Sequence, residues 1–224
     1  MSHLYLTTKV ITMKYNATYF EYYALLSLVW CYDNRLEPIL NCKAECPDWQ
    51  SDELNIGIEV CQAISKQEGE KNFIINEIFS QKLSADEKLN LLRRRFPKHK
   101  NLLQKTENDV LYAELDMSYE YTSYKIANAI SLKLSKLNSN YTQYDNNWLY
   151  IFTDFSLFAD DEINELSSRV SSKQKEFGFN FHKVFLNCLD KLYIFENDEI
   201  SSISIDDDTL AKLKKTAILL SRKY

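Results

Sequence analysis

Pro47-Asp48 is followed eleven residues later by Glu59, inside the run Leu54-Asn55-Ile56-Gly57-Ile58-Glu59-Val60-Cys61. Side chains alternate faces along a strand, so Glu59, Cys61 and Ala63 point one way while Ile58, Val60 and Gln62 point the other. Leu54, Ile56, Ile58 and Val60 then form an unbroken apolar face for burial. Glu59 shares its side with Gly57, which leaves room for a ligand to approach the backbone. Asp48 follows a proline, which cannot serve in the middle of a ladder, so a neighbouring strand begins or bends there. Two carboxylates converging from adjacent strands suit a hard divalent cation such as Mg²⁺, which prefers oxygen ligands and keeps several waters. A metal held in this way can activate water and stabilise the charge developing on a phosphate under attack.

The elements that must position these acids follow from periodicity. Thr18 to Tyr32 reads as a strongly apolar helix, and Ile39 to Glu45, Trp49 and Leu54 to Cys61 read as strands with a polar turn at Gln50 to Glu53. A helix is expected from Glu68 to Gln81, and a second from the N-cap Ser84, with Glu87 three residues on, to the residue before Pro97. Val110 to Met117 alternates like a strand, Tyr124 to Leu137 is an amphipathic helix, and Trp148 to Thr153 is a short buried strand. Asp160 or Asp161 caps a helix to Gln174, Lys183 to Asn187 pairs with Lys191 to Glu196 as a hairpin, and Asp206 to Asp208 open a last helix to Arg222. Strands alternating with helices predict an α/β layer fold with a mixed central sheet flanked by helices.

A chain of 224 residues with 45% hydrophobic residues can bury one substantial core. With only three glycines and three prolines, no linker, repeat or low-complexity tract divides it, so residues 1–224 read as a single domain. Met13-Lys14 is a second candidate start, which would make residues 1–12 an extension. Tyr22 to Cys31 is the longest apolar stretch, about half of the ~20 residues a membrane-spanning helix needs. No signal-peptide pattern opens the chain, and the expectation is a cytoplasmic protein with no membrane partner. Five cysteines (31, 42, 46, 61 and 188) and three scattered histidines do not make a zinc site and read as reduced thiols. No glycine-rich phosphate loop is present.

The net charge of −5 repels phosphate at long range, so any nucleic-acid contact needs a local patch. Arg93, Arg94, Arg95, Lys98 and Lys100 supply one around Phe96-Pro97, with Lys105 close behind. The same cations also suit a solvated helix end, where they stabilise the helix dipole.

Pro47-Asp48, the Gly57 to Cys61 strand and a preceding helix carrying Glu21 resemble the PD-(D/E)xK nuclease superfamily, whose fold is restriction-endonuclease-like. The resemblance covers residues 15 to 80 and implies a metal-dependent nuclease hydrolysing phosphodiester bonds with Mg²⁺ or Mn²⁺. By analogy Asp48 and Glu59 are metal ligands, the Val60 carbonyl adds an oxygen, and Glu21 or Glu45 holds a metal-bound water. Glu21 is the sole charge between Tyr19 and Trp30, on a face with Ala17, Ala24, Leu25 and Leu28. A carboxylate there is costly unless paired or metal-linked. Cys61 stands where the family has its lysine, and a thiol supplies no fixed positive charge. Lys66 or Lys71 from the following helix, or Lys43 from the neighbouring strand, would have to take that role. The implied partner is nucleic acid, DNA ahead of RNA, with a role in defence against foreign DNA and room for a homodimer. The alternative is a catalytically inactive nuclease-like domain that binds nucleic acid or protein through the same cleft.

Overall fold

Thr18 starts the first helix with a reciprocal capping box: its hydroxyl accepts from the Glu21 amide, and the Glu21 carboxylate accepts from the Thr18 amide. In this computed structural model residues 17–63, 66–113, 119–153, 158–188 and 190–222 are described. Helix α1 (Tyr19–Ser27) runs on into a π-helical turn, Leu28–Tyr32, and a 3-10 helix spans Asn34–Asn41. Strands β1 (Trp49–Ser51) and β2 (Ile56–Gln62) follow, then helices α2 (Lys66–Phe79) and α3 (Ala85–Arg95) and strands β3 (Leu103–Lys105) and β4 (Leu111–Ala113). Helix α4 (Tyr119–Leu137), strand β5 (Asn146–Phe152), helix α5 (Asp160–Gln174), strands β6 (Lys183–Cys188), β7 (Lys191–Glu196) and β8 (Glu199–Ser204), and helix α6 (Asp207–Ser221) complete the order.

The main sheet has six strands in the order β1-β2-β5-β6-β7-β8. The central pairs β2/β5 and β5/β6 are parallel, and the outer pairs are antiparallel. Period-two alternation sends Ile56, Ile58 and Val60 of β2, with Tyr150 and Phe185, into a core shared with α1 and α6. Leu149, Ile151, Val184 and Leu186 face the other way, against Ile126, Ile130 and Leu134 of α4 and Leu166 of α5. Helices on both faces explain why the central strands are apolar nearly throughout. The expected mixed α/β sheet flanked by helices is therefore present.

A third, smaller core joins α2, α3 and the β3-β4 hairpin through Ile74, Ile78, Leu89, Leu92, Leu102 and Leu103. It lies between β2 and α4 in the chain. The capping box of Ser84 and Glu87 forms as expected, and α3 stops at Arg95 ahead of Pro97. The expected strand ends at residues 114–117 and the start at residues 1–12 lie outside the described residues.

Several expectations are corrected. Ile39 to Glu45 is not a strand: Asp33 caps a 3-10 helix that contains Pro38 and ends at Asn41, leaving only an isolated bridge between Lys43 and Trp49. Strand β2 starts at Ile56 because Asn55 has φ 47°, a left-handed turn conformation, and Leu54 is exposed instead of lining the core. Strand β8 went unanticipated, since Glu199 to Ser204 is largely polar; the two-residue turn Asn197-Asp198, with φ 50° and 65°, creates it by hairpin closure. Gly57 does not open the backbone to a ligand. A Cβ there would sit 2.7 Å from Pro47 Cγ and 2.8 Å from Tyr144 Cδ2, so the glycine admits these two rings.

Candidate metal centre

Strand β1 ends its ladder with Trp49 opposite Ile58, and the preceding peptide, Cys46-Pro47, is cis. Asp48 thus sits one residue beyond the pairing, and its Oδ2 accepts the Val60 amide at 2.8 Å in place of a strand partner. A residue in a strand directs its N–H and C=O to the same edge, so the Val60 carbonyl also faces this gap. On the α1 side, Lys43 Nζ reaches Asp48 Oδ1 at 3.2 Å and Glu21 Oε1 at 3.0 Å. The Lys43 side chain is only 6% exposed, with its ammonium 5.8 Å from the centre of the Trp49 ring. Glu21 and Asp48 thus share one ammonium.

These neighbours split the two carboxyls. Burial, then the charge of Glu59, push Asp48 up to about 7, against the pull of Lys43 and the Val60 amide. Burial also opposes ionisation of Glu21, but hydrogen bonds from Thr18, Asp48 and Lys43 outweigh it and hold its pKa below the ordinary value. One proton therefore fits between two acids, on the Asp48 side.

Glu59 points to the opposite face of the sheet, toward α4, as strand parity requires. Its side chain is 4% exposed. Oε1 receives both the Lys133 ammonium of α4 and the Tyr141 hydroxyl, the latter at 2.6 Å. Oε2 is buried and has no hydrogen-bond partner among the described residues. Burial lowers the pKa of Lys133, but the charge and hydrogen bond of Glu59 reverse this, and the net direction is up. Tyr141 is also pushed up, by burial first and then by Glu59. Cys61, beside Lys133 and Glu59, is pushed up to about 12 chiefly by burial and stays a neutral thiol.

The expected residues divide accordingly. Glu21, Lys43, Asp48 and the Val60 amide gather on the α1 side, whereas Glu59 is held by Lys133 and Tyr141 on the α4 side, near enough for its charge to act on Asp48. Glu45 is exposed and shares none of these contacts. Lys66 opens α2, and its side chain lies outside the described residues. Among the described residues no three His, Cys, Asp or Glu side chains are grouped as for a metal ion. The oxygen donors that could hold one are the two carboxylates of Asp48 and Glu59 together with the Val60 carbonyl. The orphaned Oε2 of Glu59 and the suppressed ionisation of Asp48 both fit a divalent cation, which would satisfy the first and relieve the second.

Lys133 and Tyr141 were not identified from sequence. A signal for Lys133 existed: it lies seven residues after Ile126, three after Ile130 and four before Leu137, on the buried stripe of α4. A charge on that stripe needs a partner. Tyr141 lies beyond the helix and carried no such signal.

The basic cluster belongs to the small third core, away from these acids in the chain. Arg93, Arg94, Lys98 and Lys100 are exposed, whereas Arg95 pairs with Glu77 and stacks 5.7 Å from the Phe96 ring. Lys105 bonds Asp86 and Asp109. No helix among the described residues is long and apolar enough to cross a membrane. No protein-family model, curated protein or solved structure matches the chain.

Proposed function

We propose that this protein is a nuclease that hydrolyses phosphodiester bonds with Mg²⁺ or Mn²⁺, built on a restriction-endonuclease-like sheet. The observation that carries the reading is the buried Glu59 carboxylate, with one oxygen anchored by Lys133 and Tyr141, the other without a hydrogen-bond partner among the described residues, and its charge acting on Asp48. Asp48, Glu59 and the Val60 carbonyl would hold the cation. When bound, it would activate water and neutralise charge on the scissile phosphate.

Lys133 takes the role left open by Cys61. Its ammonium comes from a different element but stands at the same carboxylate, where it can orient an attacking water and offset negative charge. Tyr141 fixes the rotamer of Glu59. Lys43 and the Val60 amide fix Asp48, and Glu21 fixes Lys43 from the α1 side. Arg93, Arg94, Lys98 and Lys100 supply exposed cations for phosphate contacts against an acidic surface.

One observation favours a second reading, a nucleic-acid or protein binding module without catalysis: Lys43 and Lys133 already neutralise two of the three acids. Cleavage of labelled single- and double-stranded DNA and RNA with Mg²⁺ or Mn²⁺ separates the two. The nuclease reading expects metal-dependent cleavage that falls at least about a hundredfold in Glu59→Ala. Metal-dependent cleavage surviving that change, or no cleavage of any of these substrates, defeats it.

A further inference from the structure

Both oxygens of the Asp48 carboxyl are in use. Oδ2 accepts the Val60 amide at 2.8 Å, and Oδ1 accepts the Lys43 ammonium at 3.2 Å. The first bond ties Asp48 to a strand, because Val60 lies inside β2 opposite Tyr150 of β5. The second ends on a flexible four-carbon stem and is the one that can be exchanged. The backbone around Lys43 is itself fixed: the Ala44 amide donates to Asp48 O at 2.9 Å, the Gln50 amide donates to Cys42 O at 3.1 Å, and Lys43 bridges Trp49. Movement is therefore left to the side chain.

Glu21, the other partner of Lys43, is anchored differently. Its Oε2 accepts the Thr18 amide at 2.5 Å as part of the helix cap, while Oε1 takes the ammonium at 3.0 Å. A divalent cation sits about 2.1 Å from a carboxylate oxygen, so one placed on Oδ1 of Asp48 would lie at most about 5 Å from the Lys43 ammonium. The Lys43 side chain is 6% exposed, and little water is present to screen that repulsion. Oδ1 can serve the ammonium or the cation, and not both.

We infer that Lys43 is the resident cation of Asp48, which it yields to a divalent cation while staying with Glu21. This rests on the proposed function, in which Asp48 is a metal ligand. It gives the two acids separate tasks: Asp48 exchanges its positive partner, and Glu21 retains the released ammonium beside the site. The helix cap supplies the fixed position that retention needs, and the Trp49 ring, 5.8 Å from the ammonium, orders the stem. In the metal-free protein Lys43 offsets the repulsion among the acids. In the loaded protein it lowers the affinity of Asp48 for its ligand, so Lys43 sets the divalent concentration at which the site fills.

Titration calorimetry of the full chain with Mn²⁺ tests this. Lys43→Gln is expected to bind Mn²⁺ at least about tenfold tighter than wild type, since a buried positive charge at the ligand is gone. Lys214→Gln, which removes the same charge from an exposed position of α6, should stay within about twofold of wild type. A second measurement needs no variant and decides where Lys43→Gln unfolds: acetylation of the wild-type Lys43 amine by an N-hydroxysuccinimide ester, read by peptide mass spectrometry. Saturating Mn²⁺ should speed it at least about threefold, because the ammonium loses one of its two acceptors. Equal or weaker affinity in Lys43→Gln, an equal gain in Lys214→Gln, or labelling that bound Mn²⁺ leaves unchanged overturns the inference alone. Absence of Mn²⁺ binding to wild type and Lys43→Gln alike overturns the nuclease reading with it.

Discussion

Lys133 of α4 contacts Oε1 of Glu59, a residue 74 positions earlier in the chain. The contact places a positive charge at the strand that carries the acid, although that strand offers only a neutral thiol at Cys61. The ammonium and the carboxylate are both largely removed from water, so each depends on the other.

Lys133→Met is therefore expected to act twice. Metal-dependent cleavage should fall about a hundredfold or more. The metal-free protein should lose about 3 kcal/mol in urea unfolding, because Glu59 keeps a buried charge without its counter-ion. Added Mg²⁺ should restore part of that stability but none of the rate. A variant that cleaves at the wild-type rate removes Lys133 from the chemistry.

Asp48 gives a pH prediction whose sign is fixed by its raised pKa. The folded carboxyl titrates at about 7, against 3.8 for the ordinary group, so between those values the folded state binds the proton and the unfolded state does not. Stability of the metal-free protein should thus fall as pH rises from 4 to 7, by up to about 4 kcal/mol from this one group, and level off above. Asp48→Asn should flatten the fall. Urea midpoints across this range measure it, and parallel curves for the two proteins would remove Asp48 as the cause.

Tyr141→Phe removes one of two donors on Glu59 Oε1 and leaves Lys133 in place. The expected cost is about 1–2 kcal/mol of stability. Divalent-metal affinity, read by titration calorimetry, should weaken, since the Glu59 rotamer is less fixed. An unchanged affinity would show that Lys133 alone sets the carboxylate.

Gly57→Ala tests the packing beneath the site. Its methyl would lie 2.7 Å from Pro47 Cγ and 2.8 Å from Tyr144 Cδ2, closer than van der Waals contact, and the Tyr144 hydroxyl is tied to Gln50 and Asp52. A loss of about 1–3 kcal/mol is expected, together with reduced metal affinity because Pro47 carries Asp48. A neutral substitution would mean that the Pro47 turn moves freely.

The sequence showed most of what depends on local pattern. Ser84 and Glu87, Pro97, the β2 alternation and the β6-β7 hairpin all act within a few residues, and the structure holds them where expected. The pairing of Asp48 with Glu21 and Lys43 was partly readable, because an acid on an apolar helix face demands a partner. What was hidden depends on long-range closure. Nothing near Glu59 indicates that its counter-ion comes from α4, and nothing near Gly57 indicates that Tyr144 fills the space above it. Strand β8 was hidden for another reason: its serines give no apolar alternation, and its turn alone specifies the pairing.

The separation within the candidate site also bears on synthesis. A ribosome delivers Asp48 and Glu59 before the groups that hold Glu59, and Tyr141 follows Glu59 by 82 positions. A partly translated chain thus displays the acids without the ammonium and hydroxyl that hold Glu59, and without the parallel strand that flanks β2. Whatever the site does, it cannot be complete until α4, Tyr141 and β5 have been made, and a product truncated before them lacks the groups that hold Glu59.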